Sequence, residues 1–141
     1  MAKTSTKKSS TASAKRATAP KFTNGLSRPT LKTGEKYIGA IVSADGKGHH
    51  TILLPGDESG THAEMMAWAK KLGGDLPDRV EQALLFRDHR DQFKRDWYWS
   101  NTQLADASGC AWFQSFGYGD QYWDIVCFRF RARAVRRVAI Q

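Results

Sequence analysis

The sequence predicts an α+β domain, two helices packed on short antiparallel strands, preceded by a disordered basic tail. Three observations predict it. A strand–turn–strand pattern occupies residues 35–54. Two helix-capping signatures follow, at Thr61 and Asp78, each opening a run with helical spacing. From Trp97 onward the chain turns aromatic and β-branched, broken by glycine-rich turns. Helices grouped between strands, without βαβ alternation, argue for α+β rather than a parallel sheet.

Residues 1–34 read as the tail. Ser, Thr, Ala and Lys dominate it, with Pro20 and Pro29 and few large apolar side chains. Ordering a residue costs about 1–2 kcal/mol of backbone entropy. Met1, Phe22, Leu26 and Leu31 would each return only about 1.5–3 kcal/mol if fully buried. Disorder is the expected outcome. The formal net charge of +8 also belongs here: the first 36 residues hold nine Lys and Arg against one acid, Glu35, and the remaining bases and acids cancel. The tail therefore reads either as an electrostatic arm, with Lys3, Lys7, Lys8, Lys15, Arg16 and Lys21 available to phosphates, or as a solubilising leader.

The domain spans 35–141. Glu35–Ser43 is β-prone, Asp45-Gly-Lys-Gly is turn chemistry, and His49–Leu54 is a second strand ended by Pro55-Gly56, so a hairpin is expected. His49 and His50 are adjacent, face opposite sides of a strand and cannot easily share a metal; both read as solvated. Thr61-His-Ala-Glu is a capping box, and Met65, Trp68, Ala69 and Leu72 form one apolar stripe before Gly73-Gly74 stops the helix. Asp78 with Glu81 caps a second helix, on which Val80, Ala83, Leu84 and Arg87 share a face with Leu85 and Phe86 beside it. The sign-alternating run from Arg87 to Asp96 reads as a solvated helix end, with His89 on the surface. Strands are expected at Trp97–Ser100, Cys110–Phe116 and Arg133–Ile140, the last pairing with the strand near the start of the domain.

The segment from Ala111 to Arg137 holds eight of the chain's sixteen aromatic residues and five arginines, with Asp120, Gln121 and Asp124 among the aromatics. A buried strand face does not want that mixture. Ala111–Phe116 and Arg131–Val138 read as framework, several of the arginines serving as partners for the helices' acids. Tyr118, Asp120, Tyr122, Trp123, Asp124, Ile125, Phe128 and Arg129 read as a ligand-binding surface. The alternative is a plain hairpin with Ile125, Val126 and Phe128 in the core.

Leu76-Pro77 with Glu81 and Leu84, then Tyr98-Trp-Ser-Asn-Thr, Ala111-Trp-Phe and a terminal Arg133-Ala-Val-Arg resemble the DUF1566 family over residues 35–138. The resemblance implies a C-type-lectin-like fold with the Trp-Ser and Ala-Trp segments as framework and the Arg-Ala-Val-Arg strand closing the sheet. The Tyr118–Phe128 run also resembles the variable loops of proteins diversified by phage and bacterial retroelements. There, adenine mutagenesis of asparagine codons yields residues such as Tyr118, Asp120, Tyr122, Asp124, Ile125, Val126, Cys127 and Phe128. The resemblance implies a phage or prophage protein, found in the bacterial cytoplasm or the phage particle, with a protein or other macromolecular ligand. It departs from the calcium-dependent lectins: no Glu-Pro-Asn motif or Trp-Asn-Asp run occurs, and Trp123-Asp124-Ile125 lacks the oxygens that a calcium site needs. The formylglycine-generating relatives need a reactive cysteine pair, a role that Cys127 cannot fill if its run is diversified.

No catalytic triad, metal-ligand spacing or phosphate-cradling loop is readable, so neither enzyme chemistry nor a cofactor or metal is expected. Cys110 and Cys127 are too few for a disulfide scaffold; they could pair, but two free thiols in a reducing cytoplasm is the better reading. No secretory signal or apolar run long enough for a membrane span is present. Binding of nucleic acid through the tail and the aromatic–arginine face is the alternative function.

Overall fold

The hairpin signal is realised as β1 (Lys36–Val42) and β2 (Gly48–Leu53), antiparallel with Lys36 opposite Leu53 and a bulge between Tyr37 and Gly39. The computed structural model describes residues 27–140. The chain divides at Thr30, and the unit from Leu31 onward contains eight strands in two sheets and two helices. The mixed α+β class is as expected. The tail lysines and arginine from Lys3 to Lys21 lie outside the described residues.

The first sheet is completed by β8 (Val135–Ala139), which pairs antiparallel with β2, Leu53 opposite Val135. The last strand thus joins the second strand of the hairpin rather than the first. Arg136 ties it to the domain's start with two bonds of 2.8 Å to the Glu35 carboxylate.

The second sheet contains β3 (Glu58–Gly60), β4 (Trp97–Leu104), β5 (Ala107–Ser115), β6 (Gln121–Ile125) and β7 (Phe130–Ala132), in the order β3-β7-β4-β5-β6. Its pairs are antiparallel except β4 with β7. The loop expected up to Gly109 is largely strand, because β4 continues to Leu104 and β5 starts at Ala107.

Both helices begin where their caps predict. In α1 (His62–Lys71) the Thr61 hydroxyl accepts from the Glu64 amide and the Glu64 carboxylate accepts from the Thr61 amide; in α2 (Arg79–His89) Asp78 and Glu81 do the same. Gly73, at φ 83°, takes the left-handed conformation that ends α1. α1 packs Met65 and Ala69 against Trp99, Ala111 and Phe113, while Leu85 of α2 joins Ile38, Leu53, Tyr98 and Phe116 in a second cluster. Trp99 is fully buried and satisfied: its indole N–H donates to the Gly60 carbonyl at 3.0 Å.

Four details differ from the sequence reading. Leu72 is 45% exposed, because the helix ends at Lys71 and Leu72 is its cap. On α2, Val80 and Ala83 face outward, and the buried positions are Glu81, Gln82 and Leu85. The histidines are not solvated: His50 is buried beside Tyr37, with a ring nitrogen 2.9 Å from the hydroxyl, and His49 lies 2.9 Å from the Glu81 carboxylate. They do face opposite ways. His89 is half-buried, its Nε2 3.3 Å from the Ile38 carbonyl.

The reason for the buried Glu81 is Arg137. Its guanidinium donates to both Glu81 oxygens at 2.8 and 2.7 Å and to Asp75 at 2.8 Å, while Thr51 and the Asp78 amide also donate to Glu81. Burial alone would raise the Glu81 pKa, but these donors and the Arg137 charge hold it below its ordinary value. The expectation that C-terminal arginines partner helix acids is met here; Arg129, expected on the binding surface, meets Glu64 of α1 at 3.0 Å. Arg133 is spent differently: it donates to the carbonyls of Gln92 and Leu54 at 2.6 and 2.9 Å, and burial lowers its pKa.

Candidate functional site: an aromatic belt around the edge strand

The strand β6 is the outer strand of its sheet, held by β5 on one side only. Strand side chains alternate between faces. Register places Tyr122 opposite Phe113 and Trp123 opposite Trp112, so the two neighbours leave the strand on different faces. Their rings nevertheless meet, stacked at 4.7 Å with 13° between planes. Both side chains therefore lean over the free edge.

Further aromatic rings gather in two groups, one joined to this stack and one beyond it. On one face Trp123 meets the edge of Trp112 at 5.0 Å, and Trp112 carries the Arg79 guanidinium 3.4 Å above its ring. Gln121 fixes Arg79 by accepting from its Nε at 3.1 Å and donating to its carbonyl at 2.7 Å. On the other face Phe113 lies 4.8 Å from Trp97, Trp97 lies 5.2 Å from Phe130, and Phe130 lies 6.2 Å from Phe128. The result is an aromatic belt of seven rings and one guanidinium in two groups, the Tyr122–Trp123–Trp112–Arg79 stack at the sheet's edge and the Phe113–Trp97–Phe130–Phe128 group across its inner strands, related through the register of Tyr122 with Phe113.

The outer members are uncovered. Tyr122 is 55% exposed, Trp123 39%, Trp97 43% and Phe128 45%; Tyr118, at the turn before β6, is 88% exposed. That turn is fixed by Gly119, whose φ of 91° suits glycine, and a Cβ there would lie 2.6 Å from the Phe86 ring. Large aromatic rings left in water at this density lose the burial that usually stabilises them, about 1.5–3 kcal/mol each.

Of the residues singled out in the sequence, Tyr118, Asp120, Tyr122, Trp123, Ile125, Phe128 and Arg129 are exposed and Asp124 is half-buried. The plain-hairpin alternative, with Ile125, Val126 and Phe128 in the core, holds only for Val126, which packs partly buried on the α1 cluster. Tyr122, Trp123 and Phe128 belong to the belt. Tyr118 stands apart at the turn, and Arg129 is turned to Glu64. Ala111, Phe113, Phe116, Ala132, Ala134 and Val135 are buried framework.

Sequence reasoning missed Trp97, Trp112, Phe130 and Arg79 as members of this surface. Trp97 and Trp112 had a readable signal, a tryptophan among other aromatic residues on a strand. Arg79 had none, since its place over Trp112 follows from how α2 lies on the sheet.

Cys110 and Cys127 are free thiols, the second exposed beside the belt. Among the described residues no cluster of three His, Cys, Asp or Glu side chains could hold a metal ion, and no helix is long and apolar enough to cross a membrane. No protein-family model matches the chain, and none of the curated proteins does.

Proposed function

We propose that this chain is a non-enzymatic recognition protein, a C-type-lectin-like domain of the DUF1566 kind. In this reading it presents the aromatic belt to a protein or other macromolecular ligand. The observation that carries the reading is the exposed stack of Tyr122 on Trp123 at the edge of the sheet. Tyr and Trp supply large, rigid contact areas with a polar tip, and such residues dominate binding hot spots. Exposed apolar patches that are contiguous rather than scattered mark interaction surfaces. The framework on either side is buried, so the surface can vary while the fold is held elsewhere. That separation suits a phage or prophage protein whose Tyr118–Phe128 run is diversified by a retroelement.

The test compares the native chain with a Tyr122→Ala/Trp123→Ala double variant on an array of bacterial surface proteins and glycans. Binding present in the native chain is expected to vanish in the variant. Stability should fall by at most about 1.5 kcal/mol, the worth of an aromatic pair. Retained binding, or a loss of stability approaching the roughly 3–5 kcal/mol of a core Trp→Ala change, would sink the reading. Diversification is checked separately in the gene's DNA: a near-copy of the segment encoding residues 111–137, beside a reverse transcriptase gene and differing only at adenines, is expected.

The net charge of +8 favours a second reading, nucleic-acid association through Lys3, Lys7, Lys8, Lys15, Arg16 and Lys21 with the aromatic–arginine face stacking on bases. It requires an affinity for DNA or RNA that falls steeply with salt and is mostly lost on deletion of residues 1–33. Binding indifferent to both excludes it.

A further inference from the structure

The two ends of the stacked part of the belt differ. Its inner end is already covered by a cation, Arg79 over Trp112 at 3.4 Å. Its outer end, Tyr122, rests on Trp123 and is otherwise open, 55% exposed. Tyr122 is flanked by two carboxylates. The β5–β6 register continues past the strand, since the Ser115 amide donates to the Asp120 carbonyl at 2.9 Å. Asp120, Tyr122 and Asp124 are thus alternate positions that share a face, spaced about 6.8 Å apart.

Neither carboxylate has a cation of its own among the described residues. The nearby arginines are committed elsewhere: Arg79 to Trp112 and Gln121, Arg129 to Glu64, and Arg95 to the Gly117 carbonyl at 3.4 Å. Asp124 spends Oδ1 on the Ile125 amide at 2.8 Å, which fixes the side chain and leaves Oδ2 unused. An aromatic face attracts cations through its quadrupole, and flanking carboxylates add directional acceptors that suit a guanidinium fork. The same two charges repel phosphate.

Resting on the recognition reading above, we infer that the Asp120–Tyr122–Asp124 row is a receptor for a cationic side chain of a protein partner, an arginine laid on Tyr122 with its guanidinium fork on one of the two neighbouring carboxylates. The partner surface is therefore basic, and the arrangement at the outer end of the stack repeats the one that Arg79 makes at its inner end.

The full chain is titrated with Nα-acetyl-argininamide, monitored by NMR at the Tyr122 ring and the Trp123 indole. The isosteric citrulline amide, the corresponding glutamate amide and a neutral monosaccharide serve as comparisons. Saturable shifts are expected with the arginine compound, and binding about tenfold weaker or worse with citrulline. Asp120→Asn or Asp124→Asn, whichever carboxylate takes the fork, should cost about two- to fivefold, the range of an exposed ion pair. Tyr122→Leu should abolish the shifts. All three variants change exposed or half-buried side chains, and their unchanged spectra elsewhere report the intact fold. Equal binding of citrulline or of the sugar, or indifference to both Asp→Asn changes, overturns the inference. Those outcomes leave the recognition reading standing, because that reading fails only if the Tyr122→Ala/Trp123→Ala variant keeps its array ligand.

Discussion

Replacing Arg137 by methionine should damage this domain more than its half-buried position suggests. Arg137 makes four hydrogen bonds, two to Glu81, one to Asp75 and one to the Leu76 carbonyl. Methionine keeps the apolar stem and removes the charge, leaving the fully buried Glu81 carboxylate with Thr51, the Asp78 amide and His49. Stranding one partner of a buried ion pair costs about 3–5 kcal/mol. The remaining donors place this case at the lower end, about 3 kcal/mol, or a fall of about 12–20 °C in Tm for a domain near 100 residues. The loss should also depend on pH. Glu81 has a folded pKa held below its ordinary 4.5, so its contribution is complete above that value and fades as pH falls. Urea unfolding of native and variant chains at pH 7 and pH 4 measures both effects, the difference being larger at pH 7. A Glu81→Leu/Arg137→Met double variant should be more stable than Arg137→Met alone, because it removes the charge that would be stranded. A loss below about 1 kcal/mol at pH 7, or a double variant at the sum of the two singles, would refute the reasoning.

Two further expectations concern the acid limb and the turn. The Arg136 hydrogen bonds and charge, with the Lys32 amide, lower the Glu35 pKa from 4.5 to about 2 despite its burial, so this contact stabilises above pH 4.5 and is lost progressively down to about pH 2. Arg136→Gln should flatten acid unfolding across that window, and an unchanged acid limb would show that Glu35 does not hold the sheet. Gly119→Ala places a methyl at positive φ and against Phe86, a cost of about 1–3 kcal/mol from backbone strain before any clash. Thermal unfolding should show it, and a neutral result would mean that the turn before β6 is free to move.

What the sequence made legible was local. Thr61 with Glu64 and Asp78 with Glu81 name both helix starts, because a capping box is complete within four residues. The hairpin is legible through Asp45-Gly-Lys-Gly, and the exposed character of Tyr122 and Trp123 through the acids beside them. The second role of Glu81 was hidden, since its partner Arg137 lies 56 residues away and only the pairing of β2 with β8 brings them together. His49 and His50 misled for the same reason: alternation gives their opposite faces but not the presence of Glu81 and Tyr37 on those faces. Arg79 entered the belt through the docking of α2 on the sheet, which no local pattern encodes.

The placement of the arginines bears on which function the folded face can serve. A phosphate-binding face needs uncommitted cations, and the C-terminal segment is rich in them only when read as a string. In the fold Arg133 is turned to main-chain carbonyls, Arg136 to Glu35, Arg137 to Glu81 and Asp75, and Arg131 to Asp57 and Asp96. Asp120 and Asp124, which make no ion pair among the described residues, stand two residues to either side of Tyr122 in the exposed stack. The belt's open end is therefore acidic while the basic excess lies in the first 36 residues. If the chain does grip nucleic acid, the tail supplies the charge and the belt contributes stacking rather than phosphate contacts, so Tyr122→Ala/Trp123→Ala should leave the salt-dependent term untouched. A salt slope that drops in that variant would instead assign the phosphates to the belt and remove the ground for a cationic partner there.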